Sequence, residues 1–436
     1  MKKIFQIIYF FLWVPVLGFA QDDVYPVKHY DGVLVITNGT VHVGNGQVLE
    51  NTSVKVDHGK IVEVGSNIAI PSGDVKVVDA KGKQVYPGLI ITNSDLGLRE
   101  ISNGVRGSND FREIGDYNPS IRSIVAYNTD SKIINTLRPN GILLANVVPQ
   151  GGIISGSSSV VQLDAWNWED AAYVMDGAIH VDMPSFISRR NRFAALFGIP
   201  QETDVEKRAL QQIEEIKSFF RQAKAYLEQP AHEETNLKFE AVKGLFSKKQ
   251  KLFVHCDIVK QMLVAVDFVK EFGFDVVIVG GSDSWQIADL LKKNNIAVVL
   301  GQEHTLPTLD DDDVDQPFKT PAMLQQAGVL FALNDDDGNT RYRNLPFNAG
   351  TAASYGLTKE QALQAITLNA AKILGIDDRT GSIEVGKDAN IVVSEGDILD
   401  MRTNKITHAF IRGTQVSLED KQTQLFERYK HKYDIK

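Results

Sequence analysis

A long central segment alternates short apolar runs with stretches of helical period, and this limits the available folds more than any other feature. Apolar runs of strand length occur at residues 85–91, 142–148, 252–255, 275–279, 296–300 and 329–333. Amphipathic stretches accompany the later runs, at 258–272, 284–293 and 321–327. Such alternation is typical of a parallel sheet whose two faces are both covered by helices. The length of the segment suits a closed (β/α)8 TIM-type barrel better than an open sheet.

The two ends of the chain carry a different pattern, in which short strands alternate with tight turns. Near the N-terminus the sequence reads VLVITNGTVHVGNG and TSVKVDHGKIVEVG, and near the C-terminus it reads GSIEVGKDANIVVSEG and KITHAFIRGTQV. Asn-Gly and His-Gly pairs between alternating apolar residues are typical of β-hairpins. We therefore expect both ends to meet in one small β-sandwich domain, into which the barrel is inserted. The predicted boundaries are 24–85 and 379–416 for the two halves, 86–378 for the barrel and 417–436 for a C-terminal helical tail.

The first twenty residues predict a cleaved signal peptide. Lys2 and Lys3 precede an apolar run from Ile4 to Leu17, and small residues occupy positions 18 and 20. The run is too short for a comfortable membrane span, so we expect cleavage after Ala20 and export to the periplasm or the extracellular space. A net charge of −9 argues against nucleic acid and anionic membrane surfaces as partners. A single cysteine, Cys256, excludes an internal disulfide.

Three stretches carry a family resemblance. They are YPGLI at 86–90, NGTVHVGNG with VKVDHGKIVEVG, and GLTKEQALQAITLNAAKILGIDDRTGSIEVGKDANIVV at 356–393. Together they resemble the amidohydrolase superfamily, in particular its secreted imidazolonepropionase-like branch. The resemblance implies a hydrolase that acts on carbon–nitrogen bonds in small amide or peptide substrates, with one or two divalent metal ions as cofactor.

The resemblance also implies a set of metal ligands, and this chain departs from it. The family places an H-x-H pair after strand one, histidines after strands five and six, and an aspartate after strand eight. These positions fall on Asn93 and Asp95, His255, Gly280 and Asp336. Asparagine is a poor ligand for zinc and glycine has no side chain, so the expected ligand set is reduced to Asp95, His255 and Asp336. The cofactor stays open between one divalent first-row ion, such as zinc, and none.

Asp336 is the expected general base, although Asp335 or Asp337 could face inward in its place. Asn93, His304, Arg343 and Gly152 are the candidate substrate contacts. His304 follows a predicted strand and is either a pocket residue or a polar loop residue. Arg343 either clamps a substrate carboxylate or neutralises the aspartates at 335–337. The glycine-rich loop at Gly152 either offers backbone N–H groups to a ligand or forms a tight turn.

Two functional hypotheses follow. The first is an exported hydrolase of carbon–nitrogen bonds with a degenerate metal site. The second is a catalytically inactive relative that binds a ligand or acts as a scaffold, as a homo-oligomer or with a related hydrolase. They differ in whether Asp95, His255, Asp336 and a fourth group converge on one point, within about 4–5 Å, as metal ligands must.

Overall fold

The computed structural model describes residues 25–100, 110–186, 204–308, 311–336 and 338–435. The predicted signal peptide at 1–20 lies outside these residues. Two eight-stranded sheets organise the described chain. One is built from the two chain ends and the other from the central segment, which confirms the predicted α/β architecture.

The sheet built from the chain ends joins five N-terminal strands to three C-terminal ones. Its strands are β1 (Val33–His42), β2 (Val48–Asp57), β3 (Lys60–Gly65), β4 (Val75–Asp79), β5 (Gln84–Pro87), β14 (Ile391–Ser394), β15 (Ile406–Ile411) and β16 (Thr414–Gln415). Their order is β16-β15-β14-β5-β1-β2-β3, and β4 also pairs with β1. Antiparallel pairing of β14 with β5 joins the two ends, with Val392 opposite Tyr86. The two ends of the chain thus share one sheet.

The passage from this sheet into the barrel occurs at Gly88. The sequence predicted one strand over 85–91, whereas the structure divides it into β5 and a barrel strand. A Cβ atom at residue 88 would lie 2.7 Å from the Cδ1 atom of Leu143, so only glycine fits there. The apolar run is continuous in sequence because both of the strands it forms are buried.

The barrel sheet contains strands from the central segment alone. They are β6 (Leu89–Ser94), β7 (Ile142–Val147), β8 (Ile154–Gln162), β9 (Ala172–Asp182), β10 (Lys251–Cys256), β11 (Val276–Gly280), β12 (Ala297–Leu300) and β13 (Phe331–Leu333). They follow one another in sequence order, and backbone pairing runs from β6 to β13 in a nearly closed barrel. The strands from β9 to β13 are parallel, as expected.

Strand β8 departs from the expected parallel sheet, because it is antiparallel to both β7 and β9. The sequence analysis did not predict β8 or β9. Strand β8 reads ISGSSSVVQ and is buried throughout. Its small polar residues do not form the apolar pattern that usually identifies a core strand. The hydroxyl of Ser157 donates to Asp176 at 2.7 Å, and that of Ser159 accepts from the Asp176 backbone at 2.9 Å. These bonds satisfy polar groups that burial would otherwise leave unpaired.

Helices cover the outside of the barrel and extend beyond it. They are α1 (Ser123–Ala126), α2 (Ile134–Leu137), α3 (Trp168–Ala171), α4 (Val205–Leu227), α5 (Leu237–Ala241), α6 (Lys243–Phe246), α7 (Val259–Phe272), α8 (Ala288–Lys293), α9 (Gln316–Ala327), α10 (Leu345–Ser354), α11 (Lys359–Ala365), α12 (Leu368–Leu374) and α13 (Lys421–Lys432). Short 3-10 helices occur at Arg138–Asn140, Ser284–Ile287 and Asn339–Asn344. Within the described ranges, no helix combines the length and apolarity that a membrane crossing needs.

Candidate functional site

A cavity of about 250 Å³ lies where four parallel strands end. Its lining comes from the segments that follow β10, β11, β12 and β13, together with the start of α9. The described lining residues are Asp257, Gly280, Ser282, Asp283, Leu300, Gly301, Gln302, Glu303, Thr305, Leu306, Pro307, Thr308, Asp312, Gln316, Pro317, Thr320 and Asp336. In barrels of this type the carboxyl ends of the strands carry the chemistry, so this cavity is the candidate active site.

Asp336, the predicted general base, lines this cavity. Its carboxylate lies against Gly301, and the backbone N–H of Gln302 donates to its Oδ1 at 3.3 Å. Desolvation by the surrounding protein raises the pKa of Asp336, and the nearby Asp257 carboxylate raises it further. A carboxylate with a raised pKa is better suited to accept a proton near neutral pH.

Asp335, the alternative base, faces away from solvent. It is 3% exposed, and the side chain of Asn348 donates to its Oδ2 at 3.0 Å. Burial raises its pKa to about 6, although the Asn348 hydrogen bond opposes the rise. Asp335 is not among the residues that line the cavity, whereas Asp336 is. The position of Asp337 lies outside the described residues.

Asp95, a predicted metal ligand, is engaged within the protein. Its side chain is fully buried and forms an ion pair with Arg99. Tyr342 donates its hydroxyl to Asp95 Oδ1 at 2.5 Å and accepts from the Asp95 backbone N–H at 3.0 Å. A guanidinium and a phenol therefore provide the positive charge and the hydrogen bond that a buried carboxylate requires.

His255, the second predicted ligand, is paired with a histidine that the sequence analysis missed. Its Nε2 lies 2.9 Å from Nδ1 of His180, which lies on the neighbouring strand β9. Burial lowers the pKa of His180 well below its usual value, and the charge of His255 lowers it further. His180 is therefore neutral. One ring donates and the other accepts, so this nitrogen of His255 is already occupied. His180 lies in the motif AIHVD at the end of β9. This position near a strand end was the sequence signal that could have identified it.

Gly280 is the position where the resemblance implies a histidine, and its surroundings leave little room for a side chain. Its φ is +95°, and a Cβ atom would lie 2.5 Å from Oδ1 of Asp257. An L-residue at this position would be strained by the backbone and would also collide with the carboxylate. A side chain at this position would therefore require Asp257 to move.

The three predicted ligands do not fit a metal ion in this arrangement. Asp95 is paired with Arg99, the Nε2 of His255 is bonded to His180, and Asp336 accepts from a backbone N–H. In the described parts of the chain, no three histidine, cysteine, aspartate or glutamate side chains are grouped as a metal site requires. The expected three-ligand site is thus not formed by these residues.

The four predicted substrate contacts lie apart from the cavity lining. His304 is exposed and bonds to Thr351 Oγ1 at 3.0 Å, although its two neighbours in sequence line the cavity. Arg343 is exposed on a 3-10 helix. Asn93 is the penultimate residue of β6, where its backbone bonds to the side chain of Asn334.

Gly152 has a φ of +76°, and a Cβ there would lie 2.6 Å from the carbonyl oxygen of Gly115. The next two backbone N–H groups of its loop, those of Ile153 and Ile154, both donate to the carbonyl of Asp116. This arrangement matches the tight-turn alternative for Gly152.

Four acidic residues that the sequence analysis did not select line the cavity. They are Asp257, Asp283, Glu303 and Asp312. Asp257, Asp283 and Glu303 each come a few residues after a predicted strand, and Asp312 belongs to the run of four aspartates at 310–313. Position relative to strand ends was the signal that could have identified the first three.

Comparisons with known proteins agree with the fold. The sequence profile of the amidohydrolase family matches residues 266–416. An imidazolonepropionase of Thermoplasma volcanium is 22% identical over 398 residues, which cover 85% of this chain and 91% of the relative. An imidazolonepropionase of Shewanella frigidimarina is 25% identical, with 82% of this chain and 89% of the relative covered.

A solved amidohydrolase structure from Thermotoga maritima superposes with a TM-score of 0.75 at 28% identity. The match covers 88% of this chain and 99% of that structure. With the two-sheet architecture, these similarities support the amidohydrolase superfamily for this chain, a group of hydrolases that act on carbon–nitrogen bonds and typically use a divalent metal.

Proposed function

We propose that this protein hydrolyses a carbon–nitrogen bond of a small amide in the cavity at the carboxyl end of its barrel. The position of Asp336 carries the proposal. It is a carboxylate at the end of strand β13, it lines the cavity, and its pKa is raised by the surrounding protein. The names of the relatives support an amide substrate, since the matched proteins are imidazolonepropionases.

In this proposal Asp336 acts as the general base. It takes a proton from a water molecule as the water oxygen adds to the carbonyl carbon. It then returns the proton to the leaving nitrogen as the carbon–nitrogen bond breaks. The backbone N–H of Gln302 holds the carboxylate in place. No step is assigned to a metal ion, because Asp95 and His255 are engaged in other bonds.

The test is an amide hydrolysis screen with purified protein that begins at Gln21. The panel contains imidazolonepropionate, cyclic amides, Xaa-Pro dipeptides and simple acyl amides, each assayed as purified and with added Zn²⁺ or Mn²⁺. Asp336→Asn should lower kcat by about 100-fold or more while the protein stays folded. Asp311→Asn, an exposed change outside the cavity lining, is the control and should leave kcat unchanged.

Two results would contradict the proposal. One is no turnover of any substrate, which would favour the inactive binding or scaffold relative. The other is equal activity of the wild type and Asp336→Asn, which would place the base elsewhere.

We also propose that residues 1–20 direct export and are removed. The basic start, the apolar run and the small residues before Gln21 support this. N-terminal sequencing of protein recovered outside the cytoplasm should begin at Gln21. Recovery of the full-length chain from the cytoplasm alone would contradict export.

A further inference from the structure

The candidate active site is strongly acidic. Five of its lining residues are carboxylates, namely Asp257, Asp283, Glu303, Asp312 and Asp336. Across the described lining there is no lysine, arginine or histidine to balance them. A cavity lined by one sign of charge attracts ligands of the opposite sign.

Two of these carboxylates are buried and incompletely bonded. Glu303 is 2% exposed, and its Oε2 has no hydrogen-bond partner. Asp283 is 3% exposed, and its Oδ1 likewise has none. Burial raises the pKa of both, and the carboxylates of Asp312 and Asp257 add to the effect at Asp283. The raised pKa values favour the neutral acid at these two groups when no cation is near, because a buried carboxylate is stable as an anion only when a cation or several donors reach it.

An organic cation fits these carboxylates better than a metal ion does. A metal needs several donor atoms at about 2.0–2.6 Å from one point. The described residues contain no group of three acidic, histidine or cysteine side chains arranged in that way. Ammonium and guanidinium groups carry three and five N–H donors, which can reach carboxylates that are spread around a cavity.

We propose that this cavity recognises the positively charged end of its substrate, a primary ammonium or guanidinium group, through Glu303, Asp283 and the neighbouring carboxylates. The inference rests on the proposed function and narrows its substrate class to small amides with a cationic substituent. Leu300, Pro307 and Pro317 also line the cavity and offer apolar contacts for a short methylene chain. The volume of about 250 Å³ lies just below the usual range for small-molecule sites, which restricts the ligand to a small one.

The experiment measures binding by calorimetry with the mature chain and two matched probes. Butylguanidinium carries the charge, and butylurea is a neutral molecule of nearly the same shape. Butylguanidinium should bind about tenfold or more tightly than butylurea, and the difference should shrink as NaCl is raised. Butanoate, an anion, should bind more weakly than either.

Three substitutions test the residues. Glu303→Gln and Asp283→Asn keep the size of each side chain and should each weaken butylguanidinium binding about 5- to 20-fold with little effect on butylurea. Asp312→Asn changes a third carboxylate of the cavity. Because Asp312 lies at a half-buried loop position, this substitution should disturb folding less than the other two do. Glu169→Gln, exposed on α3, is the control and should leave both affinities unchanged. The melting temperature of each variant verifies that it is folded.

The inference would be overturned if butylguanidinium and butylurea bound with equal affinity. It would also be overturned if the carboxylate variants bound butylguanidinium as tightly as the wild type does. Because binding is measured without turnover, its failure is separable from that of the proposed function. A protein that binds butylguanidinium through Glu303 but hydrolyses nothing contradicts only the catalytic proposal. A protein that hydrolyses neutral amides without any preference for charge contradicts only this inference.

Discussion

The side chain of Asn334 bonds to both backbone polar groups of Asn93, its N–H and its carbonyl. Its Nδ2 donates to the Asn93 carbonyl at 2.9 Å, and its Oδ1 accepts from the Asn93 N–H at 3.1 Å. The same oxygen accepts from the backbone and the hydroxyl of Thr92. Backbone pairing does not join β6 to β13, the two ends of the barrel sheet. Asn334 therefore connects the first strand to the segment after the last one.

Asn334→Ala should lower the free energy of unfolding by about 2–4 kcal/mol, because it leaves buried backbone groups of β6 without partners. Urea unfolding measures the change. Asn344→Ala, at a half-buried position with no capping hydrogen bond, is the matched control and should change stability by less than about 0.5 kcal/mol. Equal losses of unfolding free energy in the two variants would show that the Asn334 contacts do not stabilise the junction between β6 and the segment after β13.

The hydroxyl of Tyr342 is the second case in which one group stabilises a strand end. Tyr342→Phe removes the donor to Asp95 and the acceptor of its backbone N–H, so we expect a loss of about 1–3 kcal/mol in denaturant unfolding. Tyr355→Phe, which changes a partly exposed tyrosine, is the control and should cost little. An unchanged midpoint in Tyr342→Phe would mean that Arg99 alone satisfies the carboxylate.

The pairing of His42 with Glu360 joins the small sheet to a barrel helix and should make stability depend on pH. His42 Nδ1 lies 2.7 Å from Glu360 Oε1, and Nε2 lies 2.9 Å from Gln84 Oε1. Burial by itself lowers the pKa of His42, but hydrogen bonds to Glu360 and Gln84 outweigh it and raise the pKa above its ordinary value of 6.5. A raised folded-state pKa means that protonation stabilises the fold.

This contribution is complete below the unfolded-state pKa and disappears as pH rises through the folded-state pKa. Glu360→Gln should therefore cost about 1 kcal/mol of unfolding free energy at pH 6 and less at pH 8.5. Urea unfolding at both values measures it, with Glu169→Gln as the exposed control. A cost that grows with pH would reverse the assigned sign.

The packing at Gly280 predicts that any side chain placed there is destabilising. Gly280→Ala should cost about 2–4 kcal/mol, since it combines a positive φ with a Cβ placed 2.5 Å from Asp257 Oδ1. Gly273→Ala is a close control, because its φ is +72° and nothing lies within 4 Å of a Cβ there. In thermal unfolding, the melting temperature of Gly280→Ala should be well below that of Gly273→Ala. Equal melting temperatures would show that Asp257 yields freely.

Metal content provides a direct measurement of the ligand arrangement. Because Asp95, His255 and Asp336 are engaged in other bonds, elemental analysis of the purified mature protein should find well under one equivalent of zinc, iron or manganese per chain. His255→Ala should not change that value. A stoichiometric metal that disappears in His255→Ala would contradict the arrangement described here.

Much of the fold could be predicted because it depends on local pattern. Apolar runs of strand length located β6, β7 and the strands from β10 to β13. The Gly-Asn-Gly run at 44–46 and the His58-Gly59 pair located the hairpins β1-β2 and β2-β3, whereas Asn38-Gly39 lies within β1 at an irregularity of its pairing. Strand β8 was not predicted because Gly156 and the serines at 157–159 lack apolar side chains. The hydroxyls of Ser157 and Ser159 find their partner, Asp176, only in the folded protein. The boundary at Gly88 between β5 and β6 was not predicted either, because both strands are buried and form one continuous apolar run in the sequence.

The sequence by itself determined the order of strands and helices and placed Asp336 and His255 at strand ends, because hydrophobic periodicity and spacing act over short distances along the chain. Tertiary structure decided what those residues do. It brought Tyr342 to Asp95 across 247 positions and His180 to His255 across 75, and it gathered acids from four loops into one cavity. Such contacts depend on strand register and side-chain direction around the barrel. No local pattern records them.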